Sequence, residues 1–255
     1  MNEARVSRPV CLSIGGSDSS GGAGIQADLR VFEALGTHGC SAITALTAQN
    51  PESVVRIEPS SLAQLDAEIH AVFDYYDVAV VKTGMLVDAE HIALISGLLS
   101  QLHRGALVID PILVSSSGRP LLDAGAKETL MHALMPLATL ITPNFDEADA
   151  LFGKRGEVSV DSLKAMMERA GCAVLLKGGH GEGAQLIDRL CEPGGSMHEF
   201  EHARQAWSRD QCHGTGCRLA SAISAYLAHG KSLSQSVDKA VSFLCGCSHI
   251  SSDGE

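Results

Sequence analysis

Hydrophobic positions along this chain fall into two alternating rhythms. Short runs at Val10–Ile14, Ser41–Leu46, Val78–Lys82, Ala106–Asp110, Thr139–Thr142 and Ala173–Lys177 predict strands, several of them apolar on both faces. Such runs suit parallel strands covered by helices above and below. Between them, Ile25–Leu35, Leu62–Phe73, Ala89–Leu102 and Ala124–Leu134 carry apolar residues three and four apart, the spacing of one helix face. The repeated unit implies right-handed crossovers and an α/β fold with a central, mostly parallel sheet flanked by helices on both faces. The rhythm then changes. Ala184–Leu190 and Met197–His202, joined around Pro193-Gly194-Gly195, predict an antiparallel hairpin at one sheet edge. Two helices, Thr215–Ala228 and Leu233–His249, close the chain. With no linker or repeat in sight, residues 1–255 read as a single domain.

Composition narrows the function more than the fold. The formal net charge of −11 argues against nucleic-acid or membrane-surface partners, so an anionic ligand would need local cations and backbone N–H groups. No apolar run reaches the ~20 residues that span a bilayer, and Met1–Pro9 lacks the apolar core of a signal peptide. None of the eight cysteines forms a CxxC pair, which fits reduced thiols in a cytoplasmic protein.

Ligands of open parallel sheets bind where strands end, and the unusual residues of this chain lie there. His213-Gly214-Thr215-Gly216-Cys217 precedes an apolar-periodic helix. Gly214 and Gly216 let free N–H groups converge into an anion hole at the positive end of the helix dipole. Cys217 falls in the first turn, where a thiol is expected to shift toward thiolate. A glycine-rich loop, Gly15 to Gly24, follows the first strand but matches neither GxGxxG nor GxxxxGK[ST]. Asp28, in the next helix, reads either as a group reaching back to a ligand or as a solvated charge. Asp110 ends one strand and suits a magnesium or phosphate site. Asn144 and Glu147 follow the next strand, Asn144 reading equally well as a helix cap. Lys177 ends another as a cation for phosphate. Gln49 offers an amide to the edge of an aminopyrimidine-like ring, and Met85 a soft wall for its face.

The blocks GGSDSSGGAGIQADL (15–29), GCSAITALTAQN (39–50), KTGML (82–86), DPILV (110–114), SGRPLL (117–122), LITPNFDEA (140–148), LLKGGH (175–180) and HGTGC (213–217), in this order, resemble the hydroxymethylpyrimidine/phosphomethylpyrimidine kinases of thiamine biosynthesis. These lie in the ribokinase-like superfamily. The resemblance implies ATP as co-substrate, Mg²⁺ as cofactor and a homodimer. It makes Cys217 the base for the hydroxymethyl proton, with Gly214 and Gly216 shaping the anion hole. Asp110 and Glu147 would organise magnesium, and Lys177, Asn144, His180 and Thr215 would hold the nucleotide. Asp28 and Gln49 would hold the pyrimidine edge, with Gly16, Met85 and Val114 lining its pocket. The same site would phosphorylate twice, first the alcohol and then the monophosphate.

One departure stands out. Where the family often has a lysine after DPxxV, this chain has Ser116, and Arg218 is a candidate to replace that phosphate contact. The other readings are a pyridoxal kinase of the same superfamily, which also phosphorylates a hydroxymethyl on an aromatic nitrogen ring, and a non-catalytic pyrimidine sensor.

Overall fold

A computed structural model describes residues 7–153, 159–178, 185–205 and 213–246. The strands are β1 (Val10–Asp18), β2 (His38–Asn50), β3 (Ser53–Pro59), β4 (Val78–Thr83), β5 (Ala106–Ile109), β6 (Leu140–Ile141), β7 (Ala173–Leu176), β8 (Gln185–Cys191) and β9 (Met197–Ala203). They form one sheet in the order β3-β2-β1-β4-β5-β6-β7-β8-β9. Strands β2, β1, β4, β5, β6 and β7 are parallel to their neighbours in that run, while β3, β8 and β9 pair antiparallel. The helices are α1 (Gly24–Ala34), α2 (Leu62–Phe73), α3 (Ala89–Leu102), α4 (Ala126–Thr129), α5 (Phe145–Phe152), α6 (Val160–Ala170), α7 (Thr215–Ala228) and α8 (Leu233–Gly246).

The double-sided apolar strands explain the layering. Leu12, Ile14, Val81, Leu107, Ile109, Val174 and Leu176 point into one core with Ile69, Ile92, Ile95 and Leu163 from the helices. The alternate positions Cys11, Val80, Val108, Ala173 and Leu175 point the other way, against Phe32, Ala222, Ile223 and Val237. A strand buried on both faces needs no polar alternation, which is why its sequence reads as a continuous apolar run.

Helices α2, α3 and α7 begin and end where their periodicity predicts. Ser61 and Asp88 cap two of them by accepting from the N–H groups of Gln64 and His91. The segment predicted as a regular helix over Ala124–Leu134 departs from expectation. It makes one α-turn at Ala126–Thr129, widens to a π-turn at Leu130–Leu134 and tightens to a 3₁₀ turn at Met135–Leu137. Pro136 accounts for the ending, since it has no N–H to continue an α-ladder. Strand β3 was not predicted. Its run Ser53-Val54-Val55-Arg56-Ile57-Glu58-Pro59 is an edge strand with mostly solvated side chains, so it lacks a strong apolar signature.

Candidate active site

The chain runs outward from β1 to β2 and β3, then returns to place β4 on the other side of β1, so the strand order reverses there. A crevice opens at such a reversal, outside the carboxyl ends of the strands. A cavity of about 870 Å³ occupies it. Gly16 on β1, Asp28 on α1, Gln49 at the end of β2 and Met85 after β4 all line it, as do Asp110 and Val114 after β5. So do Asn144, Glu147, Lys177, Gly214, Thr215, Gly216 and Cys217. The fold thus gathers onto one cavity the site residues named from the sequence, except Arg218, which lies off it, and His180, which lies outside the described residues.

Glycine is required where the two loops cross. Gly214 has φ +78°, and a Cβ there would sit 2.2 Å from the carbonyl oxygen of Gly22. At Gly16, a β1 bulge next to Gly15 brings the backbone against Met85, whose sulfur would lie 3.0 Å from an added Cβ. A Cβ on Gly216 would lie 3.3 Å from the Lys177 ammonium, so the turn opening α7 presses directly on that cation.

Cys217 corrects one expectation. The start of α7 was expected to draw the thiol toward thiolate, but burial pushes it up to about 12. Lys82 offsets part of this, and Asp110 and Asp28 add to it. Half a unit of helix charge favours a thiolate only where water still reaches the sulfur, and Cys217 is 6% exposed.

Two buried ion clusters lie beneath the turn. In the first, Lys177 Nζ lies 3.0 Å from Asp110 Oδ1 and 3.7 Å from Glu147 Oε2. Burial works against the Asp110 charge, but Lys177 and Lys82 overcome it and hold its carboxyl below the usual range. Glu147 goes the other way. Burial, relieved in part by Lys177 and reinforced by Asp110, pushes it up to about 7.

A carboxyl whose folded pKa is raised favours its neutral form in the fold, so its contribution to stability is present at low pH and is lost as pH rises from about 4.5 through about 7. Glu147→Gln should therefore flatten the pH dependence of unfolding over that window and raise the melting temperature at alkaline pH, by roughly 6–12 °C for the ~3 kcal/mol involved. Thermal scans of both proteins across the window check this. An unchanged slope in the variant would show that Glu147 does not titrate there.

The same pair fits a magnesium ion. With Glu147 ionised, two carboxylates face the Lys177 ammonium, which leaves one negative charge for a cation to meet. Mg²⁺ takes one or two carboxylates and completes its shell with water and substrate phosphates. No cluster of three or more metal-binding side chains occurs among the described residues.

The second cluster was not read as a unit from the sequence. Lys82 is fully buried at the end of the apolar strand β4 and lies 2.9 and 3.1 Å from the oxygens of Asp28. The Asp28 carboxylate also accepts from Ser13 Oγ at 2.6 Å and Ser221 Oγ at 2.7 Å. Asp28 is thus committed to four internal bonds at the cavity floor, which leaves it no free acceptor for a ring edge. A lysine ending an otherwise apolar strand was the signal available for this pair. Lys82→Met should destabilise the protein by about 3–5 kcal/mol by stranding a buried carboxylate. The double change with Asp28→Asn should recover most of this in denaturant titrations. Equal losses in the single and double variants would mean the pair contributes by packing alone.

Other expectations resolve similarly. Asn144 caps α5 in a reciprocal box with Glu147, each accepting from the other's N–H at 2.8 Å. Arg218 does not line the cavity; its guanidinium reaches the carbonyls of His213 at 3.0 Å and Gly22 at 3.4 Å. It braces the turn and does not stand in for a missing lysine.

The model of the phosphomethylpyrimidine kinase family matches residues 18–252. The chain belongs to the phosphomethylpyrimidine kinase family. It is 42% identical over 240 residues to the hydroxymethylpyrimidine/phosphomethylpyrimidine kinase of Rhizobium meliloti, covering 92% of this chain and 88% of that protein. It is equally similar to the thiamine biosynthesis bifunctional protein ThiED of Geobacter sulfurreducens, of which it spans 48%. The crystal structure of phosphomethylpyrimidine kinase from Clostridium difficile superposes with a TM-score of 0.81 at 38% identity, covering 94% of this chain and 99% of that one. Pyridoxal kinase from Staphylococcus aureus, in complex with AMP-PCP and pyridoxal, gives 0.83 at 28% identity, covering 98% and 91%. Membership in this kinase family makes the chain a phosphotransferase with a ribokinase-like fold, and its described helices include none long and apolar enough to cross a membrane.

Proposed function

We propose that this phosphomethylpyrimidine kinase family member transfers the γ-phosphoryl group of ATP to 4-amino-5-hydroxymethyl-2-methylpyrimidine, and then to the monophosphate, in thiamine biosynthesis. One domain carries both steps, as a cytoplasmic homodimer. The observation that carries the reading is the convergence of the Gly214–Cys217 turn with Lys177, Asp110 and Glu147 on one cavity.

Phosphoryl transfer is limited by positioning and by charge. Gln49, Met85, Gly16 and Val114 hold the ring, so that the hydroxymethyl oxygen faces the turn. Thr215, Asn144 and Lys177 hold the nucleotide phosphates. The N–H groups opening α7 and the Lys177 ammonium stabilise the charge that develops on the transferring group. Cys217 takes the hydroxymethyl proton as a thiolate, its own thiol proton having first been lost to solvent, and the buried charge of Lys82 is the group that favours this ionised form. Asp110 and Glu147 would hold Mg²⁺, which would supply charge neutralisation for the phosphates. Asp28 acts through Lys82 and the cavity floor.

The test is product mass after incubating the full chain with MgATP and the pyrimidine alcohol, with pyridoxal in a parallel tube. The pyrimidine mono- and then diphosphate are expected. Product from pyridoxal alone would overturn the substrate, and product from neither would leave a binding protein.

A further inference from the structure

Asp18, His213 and Ser116 come from three distant segments and form a chain of hydrogen bonds at the cavity. His213 Nε2 lies 2.9 Å from Asp18 Oδ2, and Nδ1 lies 3.2 Å from Ser116 Oγ. His213 and Ser116 both line the cavity, and His213 directly precedes the Gly214–Cys217 turn. Asp18 is 1% exposed and also accepts from the N–H groups of Ser20 and Ala23 and from the Ser20 hydroxyl. Burial opposes its charge, but these bonds and His213 outweigh it and hold the carboxyl below its usual range.

An ionised Asp18 only accepts, so His213 must donate to it through Nε2. In the neutral ring Nδ1 then carries the lone pair and accepts the Ser116 hydroxyl proton. A second proton on Nδ1 reverses the outer bond: Nδ1–H donates to Ser116 Oγ, and the hydroxyl hydrogen is released toward the cavity. The chain therefore has two states, one with no donor to offer and one with a donor backed by a positive charge.

We infer that Asp18, His213 and Ser116 read the phosphate of the monophosphate substrate, with His213 taking up a proton as that phosphate binds. The inference rests on the proposed two-step reaction. Its two acceptors differ by a phosphate of about −1.5 to −2 charges, yet share one cavity. A histidine can present either state of this bond chain, so one set of side chains can serve both the neutral alcohol and the anionic monophosphate.

The other cations near the turn are already committed. Lys82 pairs with Asp28, Lys177 with Asp110 and Glu147, and Arg218 binds backbone carbonyls. The charged groups around His213 are Asp18 on β1, Arg218 on α7, which binds the His213 carbonyl, and Arg30 on α1, which binds the Gly21 carbonyl beside the ring-facing Gly22. Lys127 on α4 lines the same cavity and is the rival reader.

The experiment uses the full chain and two readouts. Calorimetric binding of the monophosphate at about pH 8, above the second phosphate pKa of about 6, is compared in buffers of different ionisation enthalpy. Proton uptake is expected for the monophosphate, not for the alcohol, and is expected to vanish in His213→Asn. Separately, the ratio of kcat/KM for monophosphate over alcohol should fall about tenfold or more in Ser116→Ala, the effect of a lost hydrogen bond to a charged group, and recover in Ser116→Lys. Absence of proton uptake, an unchanged ratio in Ser116→Ala, or a larger fall in Lys127→Ala would each overturn the inference. A wild-type protein that makes no diphosphate would instead overturn the two-step reading, and the binding experiment still judges the relay.

Discussion

Lys177→Met is expected to cut turnover by about 10³-fold, at the upper end of what one electrostatic donor to a transition state is worth. The reason is position. Its ammonium is within 3.3 Å of where a Gly216 side chain would begin, so it stands directly under the turn that receives the transferring group. It also counters Asp110 and Glu147. Burial alone would lower the affinity of Lys177 for its proton, but the two carboxylates more than restore it and raise it above its usual value. The cation is therefore permanent across the working pH range. Removing it leaves two buried carboxyls without their ammonium, so Glu147 should hold its proton to still higher pH. Single-turnover kinetics with saturating MgATP would separate the chemical effect from weaker nucleotide binding. A variant that keeps turnover within a few-fold of wild type would take Lys177 out of the reaction.

Cys217→Ala should lower turnover by about 10²-fold or more while folding and ATP binding stay nearly intact, the cost of losing a general base. A thiol held up to about 12 adds a sharper expectation. If the thiolate takes the substrate proton, the wild-type rate should climb with pH over the neutral-to-alkaline range and the variant should lose that climb. Cys217→Ser would retain the volume with a far weaker acid and should resemble alanine in rate. Unaltered turnover in the alanine variant would mean that the proton leaves by another route, directly to a phosphate oxygen.

The fold was legible wherever packing writes a period into the chain. The strands under two layers of helices announced themselves as unbroken apolar runs, and Leu62–Phe73 was readable to the residue because its apolar face is regular. What failed to show was structure held from one side only. Strand β3 hydrogen-bonds β2 but leaves Val55 and Arg56 in solvent, and the π-turn at Leu130–Leu134 reflects a proline six residues beyond its start. In the site, the residues that meet at strand ends could be named because topology brings strand ends together. Their electrical state could not. Whether Cys217 is thiol or thiolate depends on burial by segments far off in sequence, and the commitment of Asp28 depends on Lys82, Ser13 and Ser221 arriving from β4, β1 and α7.

The crossing of Gly22 and Gly214 bears on how this enzyme comes into being on the ribosome. The bond between Asp18 and His213 joins residues 195 apart, and that from Arg218 to Gly22 joins residues 196 apart. Contacts of such separation close late, because a long loop must be ordered before they give any return. During synthesis the sheet can grow from β1 through β7 while the phosphoryl-transfer centre does not yet exist. A chain arrested before α7 would hold a sheet with much of one apolar face uncovered and an open crevice, its glycine loop without the turn that it abuts. Catalytic competence therefore arrives in one late event, when the Gly214 turn and α7 have emerged and come back to the loop after β1.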